Sequence, residues 1–187
     1  KENVMTQISD YDIATVENTI QPDLRYTAER NKQSFDVYLR GTSYREVVTE
    51  KLTARLIAKR LGLSAEEVTK TAHSAPYDVE YRINRGGEDK TVRVEVKATL
   101  AAKTHFETTG ECFFEYKGVK PEKFDYIFFY EVHPHDGLIV KWTTQKEIFD
   151  FVQDMTKYKR GYNLCIKDLR NSDKIKLYDI EDFPPQK

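Results

Sequence analysis

The sequence predicts an α/β domain, a mixed central β-sheet flanked by helices, on three observations. Helical periodicity dominates at 41–62, a hairpin of strict two-residue alternation follows at 77–98, and apolar strand-like runs then lead to a second capped helix near 144. With 187 residues, 39% apolar and 12% aromatic, the chain can bury one core, and it reads as a single domain, 1–187.

Residues 10–20, DYDIATVENTI, carry a loose helical pattern that Pro22 ends. In GTSYREVVTEKLTARLIAKRLG, Val47, Ala54, Ala58 and Leu61 recur at helical spacing. Leu52, Leu56, Ile57 and Leu63 widen that stripe and Gly62 supplies a stop, so an amphipathic helix is expected over about 44–61. Ser64 with Glu67 three residues on has the form of a capping box and predicts a short helix at about 65–72.

The period then changes from 3.6 to 2. Tyr77, Val79, Tyr81 and Ile83 alternate with Asp78, Glu80 and Arg82, NRGGED makes a turn, and TVRVEVKA alternates again. Further strands are expected at 112–116 (CFFEY), 125–132 (DYIFFYEV) and 138–142 (LIVKW), the last two joined by HPHDG. Thr144 with Glu147 opens a helix through EIFDFVQDM, and the terminal FPPQK is expected to fray.

Charge narrows the function classes. Lys plus Arg number 30 against 31 acids, so a formal net charge of −1 offers no bulk attraction to nucleic acid, and a polyanion site would have to be local or carry its own cation. Two cysteines, Cys112 and Cys165, are too few for a disulfide framework and suit a reducing compartment. There is no run of 18 apolar residues and no signal-peptide core, which leads us to expect a cytoplasmic protein with no membrane association. P-loop, dinucleotide-binding and nucleophile-elbow motifs are absent, and His133 and His135 in HPHDG fall short of zinc-site spacing.

Register within the hairpin decides which charges meet. If it closes on Gly86 and Gly87, Val79 faces Val94, Tyr81 faces Val92 and Glu80 faces Arg93, all favourable pairs, but Asp78 faces Glu95. Like charges so placed destabilise a sheet. Lys97, two residues along on the same face, could neutralise them. A divalent cation is the other candidate, since converging carboxylates supply the hard oxygens that Mg²⁺ accepts. A solvated hairpin face is the plainer explanation of the same residues.

With Pro76-Tyr77-Asp78 on the first strand and Glu95-Val96-Lys97 on the second, preceded by a helix bearing acids, the segment from about 41 to 149 resembles the PD-(D/E)XK nuclease superfamily, to which many type II restriction endonucleases belong. The proline stands two residues before the Asp instead of one, a departure that removes no chemical group. The resemblance implies a restriction-endonuclease-like core and a Mg²⁺-dependent endodeoxyribonuclease, expected to be a sequence-specific type II restriction enzyme or its catalytic subunit, with Mn²⁺ as a substitute ion, leaving 5′-phosphate and 3′-hydroxyl ends. In that reading Asp78, Glu95 and the Val96 carbonyl hold the metal, and Lys97 orients or deprotonates the attacking water or pairs with the phosphate.

The helix offers Glu46 and Glu50. Ser43 with Glu46 fits a capping box, which leaves Glu50, bordering the packed face, as the acid that joins the site. Phosphate contacts are sought in Lys51, Arg55, Lys59 and Arg60, in Lys103, Thr104 and His105, and in YKRGYN at 158–163; base contacts are sought near Arg82 and Arg85 and in 99–120. The expected partner is double-stranded DNA, and one site cuts one strand, so a homodimer or a heteromeric partner subunit is expected. A structure-specific repair or recombination nuclease, and a DNA-binding module of this fold without catalysis, are the competing readings.

Overall fold

The computed structural model describes residues 8–20, 42–71, 75, 77–100, 115–133 and 137–185. Along them run helices α1 (Asp10–Ile20) and α2 (Thr42–Leu61) and strands β1 (Val68–Lys70), β2 (Val79–Arg85), β3 (Glu88–Leu100) and β4 (Glu115–Val119). Strands β5 (Tyr126–His133) and β6 (Gly137–Thr144), helix α3 (Gln145–Phe151), strand β7 (Tyr162–Cys165) and helix α4 (Ile166–Asn171) follow. Five strands form a mixed sheet in the order β1-β2-β3-β5-β6, in which β3 and β5 are parallel and the other neighbours antiparallel. Strands β4 and β7 pair separately. The α/β class and the mixed central sheet expected from the sequence are both present.

Two-residue alternation assigns each strand side chain to one of two cores. Val92, Val94 and Val96 of β3 join Phe128, Tyr130 and Val132 of β5 in the core that α1 and α2 cover. Ile127 and Phe129 face the other way, into a core shared with β4, β7, α3 and α4. Glu95 lies beside Ile127 and Lys97 beside Phe129 in the parallel ladder, so the charged face of β3 looks toward this second layer. The valines therefore hold α2, while the residues between them are free to build a site.

Helix α2 docks through Val48, Leu52 and Ile57, which are fully buried, together with Thr49 and Thr53. The centre of the buried face is thus rotated from the expected stripe, and Val47 and Ala54 stand at its border. Two threonines can occupy that face because their hydroxyls have partners. Thr53 Oγ1 donates to the Thr49 carbonyl at 2.7 Å and, having spent its proton, accepts from Tyr130 Oη at 2.7 Å. That bond ties the helix to the middle of β5.

Three local expectations are corrected. The helix expected at 65–72 does not form over the described residues 65–71: Glu67 does reach back to the Ser64 amide at 2.7 Å, but this closes one turn, and Val68–Lys70 then pairs with β2 as an edge strand that buries Val68. The first cap of α3 is half a box, since Thr144 accepts from the Glu147 amide at 3.2 Å while the Glu147 carboxylate accepts from Lys176 N instead. The terminal FPP does not fray. Phe183 is fully buried, its ring centroid 5.1 Å from Trp142, 5.2 Å from Tyr126 and 5.4 Å from Phe128, mostly edge to face. Arg60 of α2 donates to the Phe183 carbonyl at 3.0 Å and to that of Glu181, which fastens this segment to the helix.

Cys165 is disulfide-bonded, which departs from the reduced cysteines expected of a reducing compartment. Among the described residues no helix is long and apolar enough to cross a membrane.

Candidate active site

The hairpin has the expected register, with Val79 opposite Val94, Glu80 opposite Arg93 and Tyr81 opposite Val92. The ladder stops at Val79, and Asp78 meets β3 differently from an ordinary strand residue. Its amide donates to the Val94 carbonyl at 3.0 Å and its Oδ2 accepts from the Val96 amide at 2.8 Å. A carboxylate thus takes the place of a main-chain acceptor, which fixes the acid against the backbone of the Glu95-Val96-Lys97 stretch. Across the other edge, the Thr71 amide donates to the Asp78 carbonyl at 2.8 Å, so the end of β1 holds Asp78 from behind.

Three carboxylates converge here. Burial, then a hydrogen bond with Asp78 and its negative charge, push Glu95 up to about 9, with Lys97 pulling the other way. Burial, followed by the charge of Asp78, pushes Glu50 up to about 7. Lys70 Nζ, 3.2 Å from Glu50 Oε2, offsets part of that rise. Lys97 Nζ stands 3.7 Å from Glu95 Oε1, an ion pair too long for a hydrogen bond. Glu50 on α2, Asp78 before β2, and Glu95 and Lys97 on β3 are therefore brought together. Glu46 has no contact with this group among the described interactions, and the side chain of Ser43 lies outside the described residues.

Arg93, the first charge of the same face, belongs elsewhere. It stands opposite Glu80 in register but pairs with Asp125, whose Oδ2 accepts from the Arg93 amide at 2.8 Å and from Nε at 3.4 Å. Glu80 accepts instead from Tyr77 Oη at 2.8 Å.

Asp78, Glu95 and Lys97 form the floor of a cleft of about 920 Å³. Its walls are Lys117, Gly118 and Lys120 of β4 and the residue after it, and Tyr158, Lys159, Arg160 and Asn163 from the turn before β7. Two glycines let these walls close in. A Cβ on Gly161, at φ +115°, would lie 2.5 Å from the Val119 carbonyl oxygen, and one on Gly118, at φ +71°, 3.2 Å from the Arg160 carbonyl and 4.0 Å from Lys97 Nζ. The 158–161 turn is closed by reciprocal bonds between Tyr158 and Gly161 of 2.9 and 3.0 Å, and the Gly118 amide donates to Asn163 Oδ1 at 3.3 Å.

The lining is basic. Lys97, Lys117, Lys120, Lys159 and Arg160 stand against Asp78 and Glu95. Of these cations only Lys97 has an ion-pair partner among the described residues.

The other cations proposed from the sequence are placed differently. Arg55 and Lys59 reach Asp12 of α1 at 2.8 and 2.6 Å, and with Lys51 they line a separate groove beside β1. Arg82 borders a cleft that contains Glu66, Glu67 and Glu80, an environment that repels phosphate. Arg85 faces Glu88 at the hairpin tip, roughly 23 Å along an extended strand from Asp78. The structure thus does not bring Arg82 and Arg85 to the cleft. Lys103, Thr104 and His105 lie outside the described residues.

Lys70 was missed by sequence reasoning, and Lys117 and Lys120 fall within the 99–120 stretch where base contacts were sought but were not singled out. The usable signal was a glycine interrupting a basic strand run, KGVK, matched by a second in YKRGYN, since such glycines mark close backbone approach.

Among the described residues no three or more His, Cys, Asp or Glu side chains form a ready metal cage. Mg²⁺ asks for less, taking one or two carboxylates and retaining waters. Asp78 and Glu95 fit that demand, because each is partly buried beside another acid and a cation between them would relieve the part of the Glu95 rise that Asp78 causes. No protein-family model matches this sequence, and no curated protein matches it either.

Proposed function

We propose that this chain is a metal-dependent endodeoxyribonuclease with a restriction-endonuclease-like core, acting through Asp78, Glu95 and Lys97, with Glu50 behind them. The observation that carries this reading is the pairing of a partly buried carboxylate and lysine group with a rim of four cations, Lys117, Lys120, Lys159 and Arg160, that have no ion-pair partner among the described residues. Unpaired cations around a cleft floor suit a polyanion, and a phosphodiester is the polyanion whose cleavage needs carboxylates beneath it.

Mg²⁺, held by Asp78, Glu95 and the Val96 carbonyl, would supply Lewis-acid polarisation of the scissile phosphate. The remaining steps belong to the chain. Lys117, Lys120, Lys159 and Arg160 draw the backbone into the cleft and balance its charge. Asp78, pinned by the Val96 amide, keeps the acid group rigid, so orientation is set before substrate arrives. Lys97 stands where its ammonium can donate to a phosphate oxygen or order the attacking water, and Glu95 beside it holds that ammonium in place. Glu50, itself held by Lys70, closes the acid group from the helix side. Because one such site breaks one strand, cutting a duplex takes a second copy or a partner subunit.

The test is incubation of the purified protein with plasmid DNA and Mg²⁺ or Mn²⁺, beside Lys97→Ala, with the ends analysed by ligation. Cleavage lost in the variant, leaving ligatable 5′-phosphate ends, is the expected result. Absence of cleavage by the wild type together with absence of Mg²⁺ or Mn²⁺ binding by calorimetry would sink the reading and favour a non-catalytic module.

A further inference from the structure

The turn at 158–161 carries three consecutive side chains for which neither ion pairing nor packing accounts. Tyr158 is 56% exposed, one of only three large hydrophobic side chains so open among the described residues. Lys159 and Arg160 follow it, exposed and without an ion-pair partner among the described residues. Yet the backbone that presents them is firmly held. Tyr158 and Gly161 exchange two main-chain bonds, Gly161 is buried against the Val119 carbonyl, and Asn163, two residues on, accepts from Gly118. A fixed frame spares a ligand the cost of ordering the backbone, so that only the side chains remain to be ordered on binding.

The chemistry of that ligand follows from the three groups. Two adjacent cations take phosphates, and the face of an open phenol ring takes another flat ring. A paired duplex offers phosphates and base edges but keeps its base faces stacked, so it has no use for the ring. An unpaired nucleotide offers both, which is the combination that single-strand binding surfaces use.

We propose that the 158–161 turn is a clamp for an unpaired nucleotide, with Tyr158 stacked on the base and Lys159 and Arg160 on the flanking phosphates. The cleft would therefore take DNA with single-stranded character near the cut. This rests on the nuclease reading and deepens it, moving the substrate from a fully paired duplex toward a flap, gap or locally opened site.

The experiment compares wild type, Tyr158→Ala and Tyr158→Phe in EDTA, titrating oligothymidylate, a blunt duplex and a heparin fragment. Tyr158→Ala should weaken oligothymidylate binding roughly 5- to 150-fold, the range for loss of one stacked base, while Tyr158→Phe stays near wild type. Duplex and heparin affinities should change less than about twofold, because they draw on the cations alone. Equal losses for all three ligands, or no loss for oligothymidylate, would overturn the clamp while leaving the nuclease reading intact. Failure of the wild type to bind any of the three would remove both. Tyr158→Trp adds a direct readout, since its fluorescence should be quenched by oligothymidylate and not by heparin.

Discussion

The cations of α2 and those of the cleft look alike in the sequence and behave oppositely in the fold. On α2, Arg55 and Lys59 both grip Asp12, and Arg60 is spent on main-chain carbonyls near Phe183. Lys59, Arg55 and Ser9 together outweigh burial and hold Asp12 below its ordinary value, so these cations do structural work between the helices. Around the cleft, Lys117, Lys120, Lys159 and Arg160 have no such counter-ion among the described residues. A formal net charge of −1 conceals this separation. What distinguishes the cleft cations from the structural ones is the absence of an internal acid among the described residues, which only the fold reveals.

The comparison breaks most decisively at the cleft floor. Lys97→Ala and Glu95→Ala should each lower the DNA cleavage rate by roughly 10²–10⁴-fold, measured on supercoiled plasmid, whereas Arg55→Ala should leave it within about twofold. Cleavage by Lys97→Ala within tenfold of wild type would place the chemistry elsewhere. At the rim, replacing Lys117, Lys120, Lys159 and Arg160 together by Ala should reduce the slope of log affinity against log salt by roughly 3–4, about 0.9 per lost phosphate contact. Arg55→Ala with Lys59→Ala should not change that slope. It should instead cost about 1–3 kcal/mol of stability, read by urea unfolding, because Asp12 is left with Ser9 alone and neither of its cations.

Protonation sharpens the contrast further. Glu50 and Glu95 sit above the ordinary carboxylate value of 4.5, at about 7 and about 9, so the folded metal-free protein binds more protons than the unfolded chain between those limits. In EDTA, stability should therefore be greatest near pH 4.5 and decline as pH rises toward 9, falling by roughly 3 kcal/mol between 7 and 9 alone, where only Glu95 still holds the extra proton. Glu95→Gln should flatten that decline. Mg²⁺ at a hundredfold excess over its dissociation constant should restore about 2.7 kcal/mol, seen as a melting temperature raised by roughly 5–10 °C in the wild type and not in Glu95→Ala. The smallest effect belongs to Arg93→Ala. Its pairing with Asp125 is partly exposed, so it should cost under about 1 kcal/mol and leave cleavage unchanged, although Arg93 lies on the same strand face as Glu95 and Lys97.

The parts of this fold that were legible in the sequence are those with a clean period. The hairpin register followed from alternation, because a one-residue slip would have buried Arg93, Glu95 or Lys97 with the helices, and β5 and β6 followed from apolar runs bounded by turn residues. The convergence of Asp78 and Glu95 followed from the same register, although Asp78 reaches β3 from just outside the ladder. Other features depended on contacts between distant segments. Thr49 and Thr53 were not countable as core, since their burial requires Tyr130 from β5 and carbonyls of their own helix. Ser64 and Glu67 do form the local bond their spacing suggests, but pairing of Val68 with Tyr81 decides the conformation beyond it. The cleft walls come from β4 and β7, whose five- and four-residue strands are too short to show a period and meet only in the folded chain. Arg93 illustrates the reverse error, where register named an opposite neighbour in Glu80 and a side chain from the turn before β5 took the bond.

Phe183 also bears on how the protein is made. Its ring fills the space among Tyr126, Phe128 and Trp142, and truncating such a ring costs about 3–5 kcal/mol. Translation adds about 5–20 residues per second, so Phe183 is joined to the chain on the order of ten seconds after α2 is complete. During that interval α2 and the sheet can associate only around an unfilled centre. The helix-side core therefore closes late in synthesis instead of growing steadily with it, and a chain stalled or clipped before Phe183 should lack that share of its core packing.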